Sequence, residues 1–258
     1  MSTSHTPLPP PVAEVSWLPF VPTLFLSASV PKFRSPEGYE PSDQQAVDRI
    51  NRDYVAGARP ERIRAAVIAL ASVALRRAPM RLAFGAHPSI SPMILQAARN
   101  MEAPPGSILV FQSDAYRDEI PGSTLDLADW SCGNLILTAK RPEPPFNPTR
   151  TPSGKPLRRL SPYAKSLRFM RELMISVPGT CGAVFIGGMN GVEEEADLFE
   201  RLQPGKPRFA LPSTESAARR LDARYPPQFN LSLPDPQAFR DTPSYALAAS
   251  MILDQLKP

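Results

Sequence analysis

Six short apolar runs recur along this chain, Thr23–Ser29, Met80–Gly85, Ser107–Gln112, Gly133–Thr138, Gly182–Ile186 and Pro207–Leu211, and segments of helical pattern alternate with them. Continuous runs of this length, bounded by turn residues, read as strands buried on both faces, the pattern of a parallel sheet covered by helices. The clearest helix, Pro60 to Arg77, sets Ile63, Val67, Ile68, Leu70, Ala71 and Leu75 at helical spacing behind an early proline. Further helices are expected over Asp43–Tyr54, Ile90–Met101, Ser161–Ser176, Val192–Leu202, Thr214–Arg224 and Ser244–Leu256. The alternation predicts an α/β fold, a single Rossmann-like domain with a mainly parallel sheet and helices on both faces. In such sheets ligands bind at the carboxyl ends of the strands, so function is to be sought in the turns that follow them.

Proline sets the second constraint. The 33 prolines among 258 residues exceed twice the ordinary usage of about 5%, and they must lie outside the core elements. They divide the chain into a Pro-rich N-terminal arm, residues 1–22, and a domain over 23–258 with a Pro-rich excursion at 140–156. The arm is expected to be an extended tail, with Trp17, Leu18 and Phe20 available to dock on the body or on a second subunit. The excursion reads either as an ordered detour or as a flap.

Charge and cysteine content exclude several classes. A net charge of +4 without a block of like charges gives no strong nucleic-acid or membrane signal, and no apolar run approaches the roughly 20 residues of a membrane helix. Two cysteines, Cys132 and Cys181, and two histidines, His5 and His87, cannot assemble a zinc site, so neither a metal nor another cofactor is expected. With no secretory apolar segment after the first residues, the cysteines read as reduced thiols and the protein as cytoplasmic.

The stretch from Gly182 to Phe199 carries the most chemistry. An apolar strand runs into Gly187-Gly188, Met189 and Asn190 follow, Gly191 sits where the next helix begins, and Glu193, Glu194 and Glu195 fall in its first turn. Glycines allow backbone angles and a close approach that side chains forbid, and helix N–H groups can receive a phosphate. Acidic residues at that place are also favoured by the helix dipole without any function. The order is neither Gly-x-Gly-x-x-Gly nor a P-loop, which disfavours a dehydrogenase or a P-loop enzyme. Similar turns follow the first strand, Ser27-Ala28-Ser29, and the second, Gly85-Ala86-His87-Pro88, and the helix starts at Ile90 and Val192 are expected to offer N–H groups. Pro212 to Glu215 reads as a helix cap that can border the pocket.

Ile186-Gly-Gly-Met-Asn-Gly-Val-Glu-Glu194 resembles the Pro-Gly-Gly-x-Gly-Thr-x-x-Glu signature of the lonely-guy phosphoribohydrolases, and with it the SLOG superfamily of Rossmann-like proteins that also includes the DNA-processing SMF proteins. Ile186 stands for the proline, one residue is added before the third glycine and no threonine follows it. Counting from the glycine pair, the resemblance places the catalytic glutamate at Glu194, with Glu193 and Glu195 as neighbouring candidates. It places the family's helix arginine at Arg171 within Phe169-Met-Arg-Glu-Leu-Met174, with Arg168 beside it, although Glu172 replaces the family's lysine.

The resemblance is closest to stand-alone or effector-linked SLOG families of bacterial conflict systems. It implies binding of a small nucleotide-derived ligand, NAD-derived or cyclic, as a sensor or processing module. An antiphage setting, an effector protein as partner and a homodimer are implied in the same way. The alternative is a lonely-guy-type enzyme that cleaves an N-glycosidic bond, Glu194 stabilising the oxocarbenium and Arg171 orienting the substrate, without a metal. A third reading is an interaction scaffold acting through the arm and the excursion.

Overall fold

The computed structural model describes residues 7–77, 79–151, 153–224 and 226–256. The first part of the arm, with His5, lies outside the described residues. Six strands, β1 (Thr23–Ser29), β2 (Arg81–Gly85), β3 (Ile108–Ser113), β4 (Gly133–Thr138), β5 (Thr180–Gly187) and β6 (Arg208–Leu211), form one sheet in the order β4-β3-β2-β1-β5-β6, every pairing parallel. The chain builds the sheet outward from β1 to β4, then returns to the other side of β1 for β5. The β1–β5 seam is therefore the topological switch point, where a crevice opens at the strand ends. Across it Ser27, Ala28 and Ser29 pair with Phe185, Ile186 and Gly187.

The two-residue alternation of the strands sorts their side chains into two cores. Leu24, Leu26, Leu82, Phe84, Val184 and Ile186 face one layer, which holds α2 (Pro60–Arg76), α3 (Ser91–Asn100), α4 (Gly122–Asp129) and α9 (Tyr245–Gln255). Phe25, Ala83, Phe111, Ala183 and Phe185 face the other, which holds α5 (Ala164–Ile175), α6 (Asn190–Leu202) and α7 (Ser216–Asp222). In the second layer Phe25 stacks on Phe199 at 5.9 Å and meets Phe185 edge-on at 6.3 Å, so the seam's strands are tied directly to α6. Burying one phenylalanine contributes roughly 1.5–3 kcal/mol, and removing Phe25 would also leave a cavity beneath the site. Helix α2 buries the periodic residues Ile63, Val67, Leu70, Ala71 and Leu75 and, between them, Ala66 and Ala74.

Two helices escaped the sequence pattern: α4, and α8 (Pro236–Asp241) within the proline-rich 226–241 stretch. Six residues are too few to show a period, and α8 is held by its cap, Asp235, whose carboxylate accepts the N–H groups of Gln237 and Ala238. The expected helix over Asp43–Tyr54 is instead α1 (Pro41–Ile50) running into a π-helical turn, Asn51–Val55. That turn aims Asn51 and Tyr54 at elements flanking the site, a use of π-turns that recurs near functional residues.

The arm runs beside the outer strand: the Val12 N–H donates to the Leu137 carbonyl and the Ala139 N–H to the Val12 carbonyl, which covers part of an otherwise open edge. Val15 and Leu18 are its buried anchors, whereas Trp17 and Phe20 remain exposed. Arg81, buried at the start of β2, donates to the carbonyls of Pro19, Val21 and Pro178 and so ties the end of the arm to the lower edge of the sheet. The segment after β4 meets the body at its far end: Thr149 N–H donates to Glu40, Arg158 N–H to the Gly38 carbonyl and Leu160 N–H to Asp43. Among the described residues no helix is long and apolar enough to cross a membrane.

Candidate functional site

A cavity of about 510 Å³ opens at the carboxyl ends of β1, β2, β3 and β5. Its floor is Ala28, Ser29, Gly85 and Ala86, its α6 wall is Met189 to Val192 with Glu194 and Glu195, and its α5 wall is Leu167, Met170 and Arg171. Leu160 and Ser161, from the end of the detour, close a further side.

The β5–α6 turn is built on glycine. Gly187 and Gly188 have φ of +55° and +86°, and a Cβ on them would lie 2.4 Å from the Ile63 side chain and 2.3 Å from the Val192 side chain. Gly187 N–H donates to the buried Thr214 hydroxyl and Gly188 N–H to the Ser29 carbonyl, so the turn is pinned from both neighbouring strand ends. Met189 provides no side-chain cap to α6. Val192 and Glu193 turn their N–H groups back to the Met189 carbonyl, which leaves those of Asn190 and Gly191 at the helix opening. Gly191 also makes room for Arg171, whose Nη2 would lie 2.8 Å from a Cβ there.

Arg171 joins the acidic start of α6. Its Nη1 donates to Glu194 at 2.5 Å and its Nε to Glu195 at 3.1 Å, and Glu195 in turn accepts from the Ser27 hydroxyl at 2.5 Å. One guanidinium thus serves two carboxylates. Glu194 is the more open of the pair, its side chain 41% exposed against 15% for Glu195. Counting from Gly191 rather than from Gly187, Glu195 takes the place of the signature glutamate, a sequence signal that the extra residue in this turn obscures.

Five predicted site residues do not line the cavity. Ser27 supports Glu195 from β1, and Gly187 and Gly188 pack against Ile63 and Val192. Glu193 turns away from the cavity to accept from the Tyr54 hydroxyl at 3.0 Å and from Arg220 at 2.8 Å, and burial together with that carboxylate pushes the Tyr54 phenol up to about 12. Arg168 lies on the outer face of α5, paired with Glu172, which also receives Arg201. Glu172, in the place of the family's lysine, is thereby bound into a surface ion-pair network.

The turn after β2 differs from the expectation at its helix. The N–H groups of Ile90 and Ser91 both donate to the His87 carbonyl and Pro92 has none, so the start of α3 has no free donors for a phosphate. His87 itself lines the cavity. Its Nδ1 accepts the Ser89 N–H at 3.2 Å, which requires a lone pair there and assigns the proton of the neutral ring to Nε2. Burial, with Lys32 and Arg34 nearby, pushes the His87 imidazole down to about 4. Nor does the turn after β6 border the cavity: β6 lies outside β5, and Thr214 is spent on the Gly187 N–H and the Leu211 carbonyl.

In its place the structure brings in residues the sequence did not single out. Gln112, Tyr116 and Glu119 arrive from the end of β3, and Arg34 from the loop after β1. Burial, with Glu119 close by, pushes the Tyr116 phenol up to about 12, which keeps it a neutral hydroxyl. Among the described residues no cluster of His, Cys, Asp and Glu has the makings of a metal site.

A family model, the SLOG cluster3 family, matches residues 53–138 and 161–233, most of the chain. The chain belongs to this family. Membership accounts for the Rossmann-like sheet and suggests a nucleotide-related function. The match breaks between 138 and 161, where the proline-rich detour is inserted, so the cavity side formed by Leu160 and Ser161 stands at the margin of what the family model covers. No curated protein matches the chain.

Proposed function

We propose that this SLOG protein binds a small nucleotide-derived ligand in the cavity at the β1–β5 switch point, as a sensor or processing module. The observation that carries the reading is the juxtaposition, around one cavity of about 510 Å³, of the uncapped start of α6 at Asn190 and Gly191 and the Arg171–Glu194–Glu195 cluster, held in place by a tightly packed glycine turn. The volume lies within the roughly 300–1,000 Å³ of small-molecule sites. Paired carboxylates beside a glycine turn suit ribose hydroxyls, and Gln112 and Tyr116 offer neutral donors and acceptors for a base. By resemblance to the effector-linked SLOG families, the setting is bacterial antiphage defence, the partner an effector protein and the working form a homodimer.

Cleavage of an N-glycosidic bond is the second reading, and Glu194 supports it: the carboxylate is the more open of the pair, lines the cavity and is oriented by Arg171, as a group facing an anomeric carbon must be. A thermal-shift series with NAD, ADP-ribose, its cyclic isomers, cyclic nucleotides and nucleoside monophosphates, followed by chromatography for released base, separates the two. A ligand that raises the melting temperature and returns intact identifies a sensor. Base released catalytically, and abolished in Glu194→Gln, identifies a hydrolase. If no nucleotide raises the melting temperature and none is cleaved, both readings fall.

A further inference from the structure

Charge is distributed unevenly around the cavity. At the α6 end Arg171 is shared by Glu194 and Glu195, so that end is acidic and its cation already engaged. Glu119 adds a further carboxylate from the β3 side. The remaining cation of the lining is Arg34, whose guanidinium has no carboxylate within ion-pairing distance among the described residues. Its backbone is nonetheless fixed with care: the Asn51 amide accepts the Arg34 N–H at 3.1 Å and donates to the Arg34 carbonyl at 2.7 Å, a two-point clamp from the π-helical turn. Beside it Lys32 lies close enough to act on His87, whose Nδ1 is occupied and whose remaining ring donor is Nε2–H. Ser89, which bonds that ring, also accepts the Val30 N–H and so ties the turns after β1 and β2 together.

An unpaired guanidinium on a clamped backbone, next to a neutral imidazole N–H and a lysine, is a receptor for an anion. A phosphate at the start of α6 would face two carboxylates. We propose that the anionic group of the ligand is held by Arg34 and His87 at the mouth of the β1 and β2 turns, and not at the start of α6, whose carboxylates take hydroxyl groups of the same ligand. This reverses the placement that the glycine-rich turn alone implies. It rests on the reading that a nucleotide-derived ligand occupies the cavity, with Asn51 as a positioning residue acting through Arg34.

Two measurements on the full chain test it. Inorganic pyrophosphate, followed by NMR, is expected to shift the Arg34 side-chain N–H and the His87 ring signals. Shifts confined to the backbone amides of Asn190 and Gly191 overturn the proposal. Calorimetry with AMP and adenosine gives the second readout: Arg34→Gln is expected to reduce the advantage of AMP over adenosine by roughly 10- to 100-fold, the loss of a charge-assisted contact, while adenosine binds as before. Arg34→Lys should retain part of that advantage, and Asn51→Ala should lower it without affecting adenosine. An AMP advantage that survives Arg34→Gln overturns the anion site and leaves nucleotide binding standing. Pyrophosphate on Arg34 with neither AMP nor adenosine bound does the opposite, since the anion site then stands and the adenine-nucleotide reading falls.

Discussion

The turns after β2 and β5 are alike in sequence, each a buried strand leading through glycine into a helix, yet they end in opposite states. After β5 Gly187 and Gly188 have positive φ, the helix is uncapped, and Asn190 and Gly191, whose N–H groups open it, line the cavity. After β2 the His87 carbonyl takes two N–H groups, Pro92 removes a third, and the turn offers the cavity an imidazole instead. A glycine before a helix therefore does not make an anion site by itself; what the first N–H groups already bond, and which charges stand beside them, decide it.

The sharpest way to break this contrast is to give each turn a methyl group. Gly188→Ala should destabilise the fold by about 2–4 kcal/mol, because alanine is strained at a φ of +86° and its Cβ would lie 2.3 Å from a Val192 methyl. Urea denaturation measures this directly; a loss below 1 kcal/mol would show that the turn can relax and is not the rigid element described.

The second largest effect belongs to His87. Its folded value of about 4 lies below the ordinary 6.5, so the neutral ring is the form the fold favours. Above pH 6.5 both folded and unfolded chains carry it neutral and the stabilisation is fully present. As pH falls from 6.5 to 4 the unfolded chain takes up the proton and the folded one resists, so stability is lost across that window, by roughly 2–3 kcal/mol. His87→Asn, which retains an acceptor for the Ser89 N–H, should flatten that part of the stability–pH profile relative to the parent. Identical slopes between pH 6.5 and 4 would mean that the ring is more solvated than its surroundings imply.

Gly191→Ala is expected to move stability by less than about 1 kcal/mol, since alanine favours the helix while its Cβ displaces only the flexible end of Arg171. Ligand affinity should fall severalfold, because the displaced guanidinium loosens Glu194 and Glu195. Unchanged affinity would remove Arg171 from the positioning of that cluster.

These residues also mark what sequence can convey. Strand positions were legible because burial on both faces leaves continuous apolar runs, and the Gly187–Gly191 turn was legible because glycine has few other uses there. Arg171 was found through its resemblance to the family's helix arginine. Strand order is not legible in the sequence, so the reading gives the pocket the turn after β6, which lies outside β5 and does not line it, and omits the end of β3, which does. Nor is the Arg34–Asn51 clamp, since its partners are 17 residues apart on either side of a helix and no periodicity connects them. Contacts that depend on a loop meeting a helix end have no local pattern to read.

Gly85→Ala should have the smallest effect of all. Gly85 ends β2 with an ordinary backbone conformation, and a Cβ there would meet the Met170 methyl at 3.6 Å and the Met174 sulfur at 3.9 Å, which is normal van der Waals contact with two adaptable side chains. Stability should stay within about 0.5 kcal/mol of the parent, because nothing strained is introduced and a little apolar surface is gained. Gly85 and the Met170 side chain that the methyl would touch both line the cavity, so the same variant reports whether a ligand packs closely over β2. Reduced affinity at unchanged stability places the ligand against Gly85. If affinity is also unchanged, the ligand passes above this turn, and Gly85 is a strand terminus rather than part of the floor it contacts.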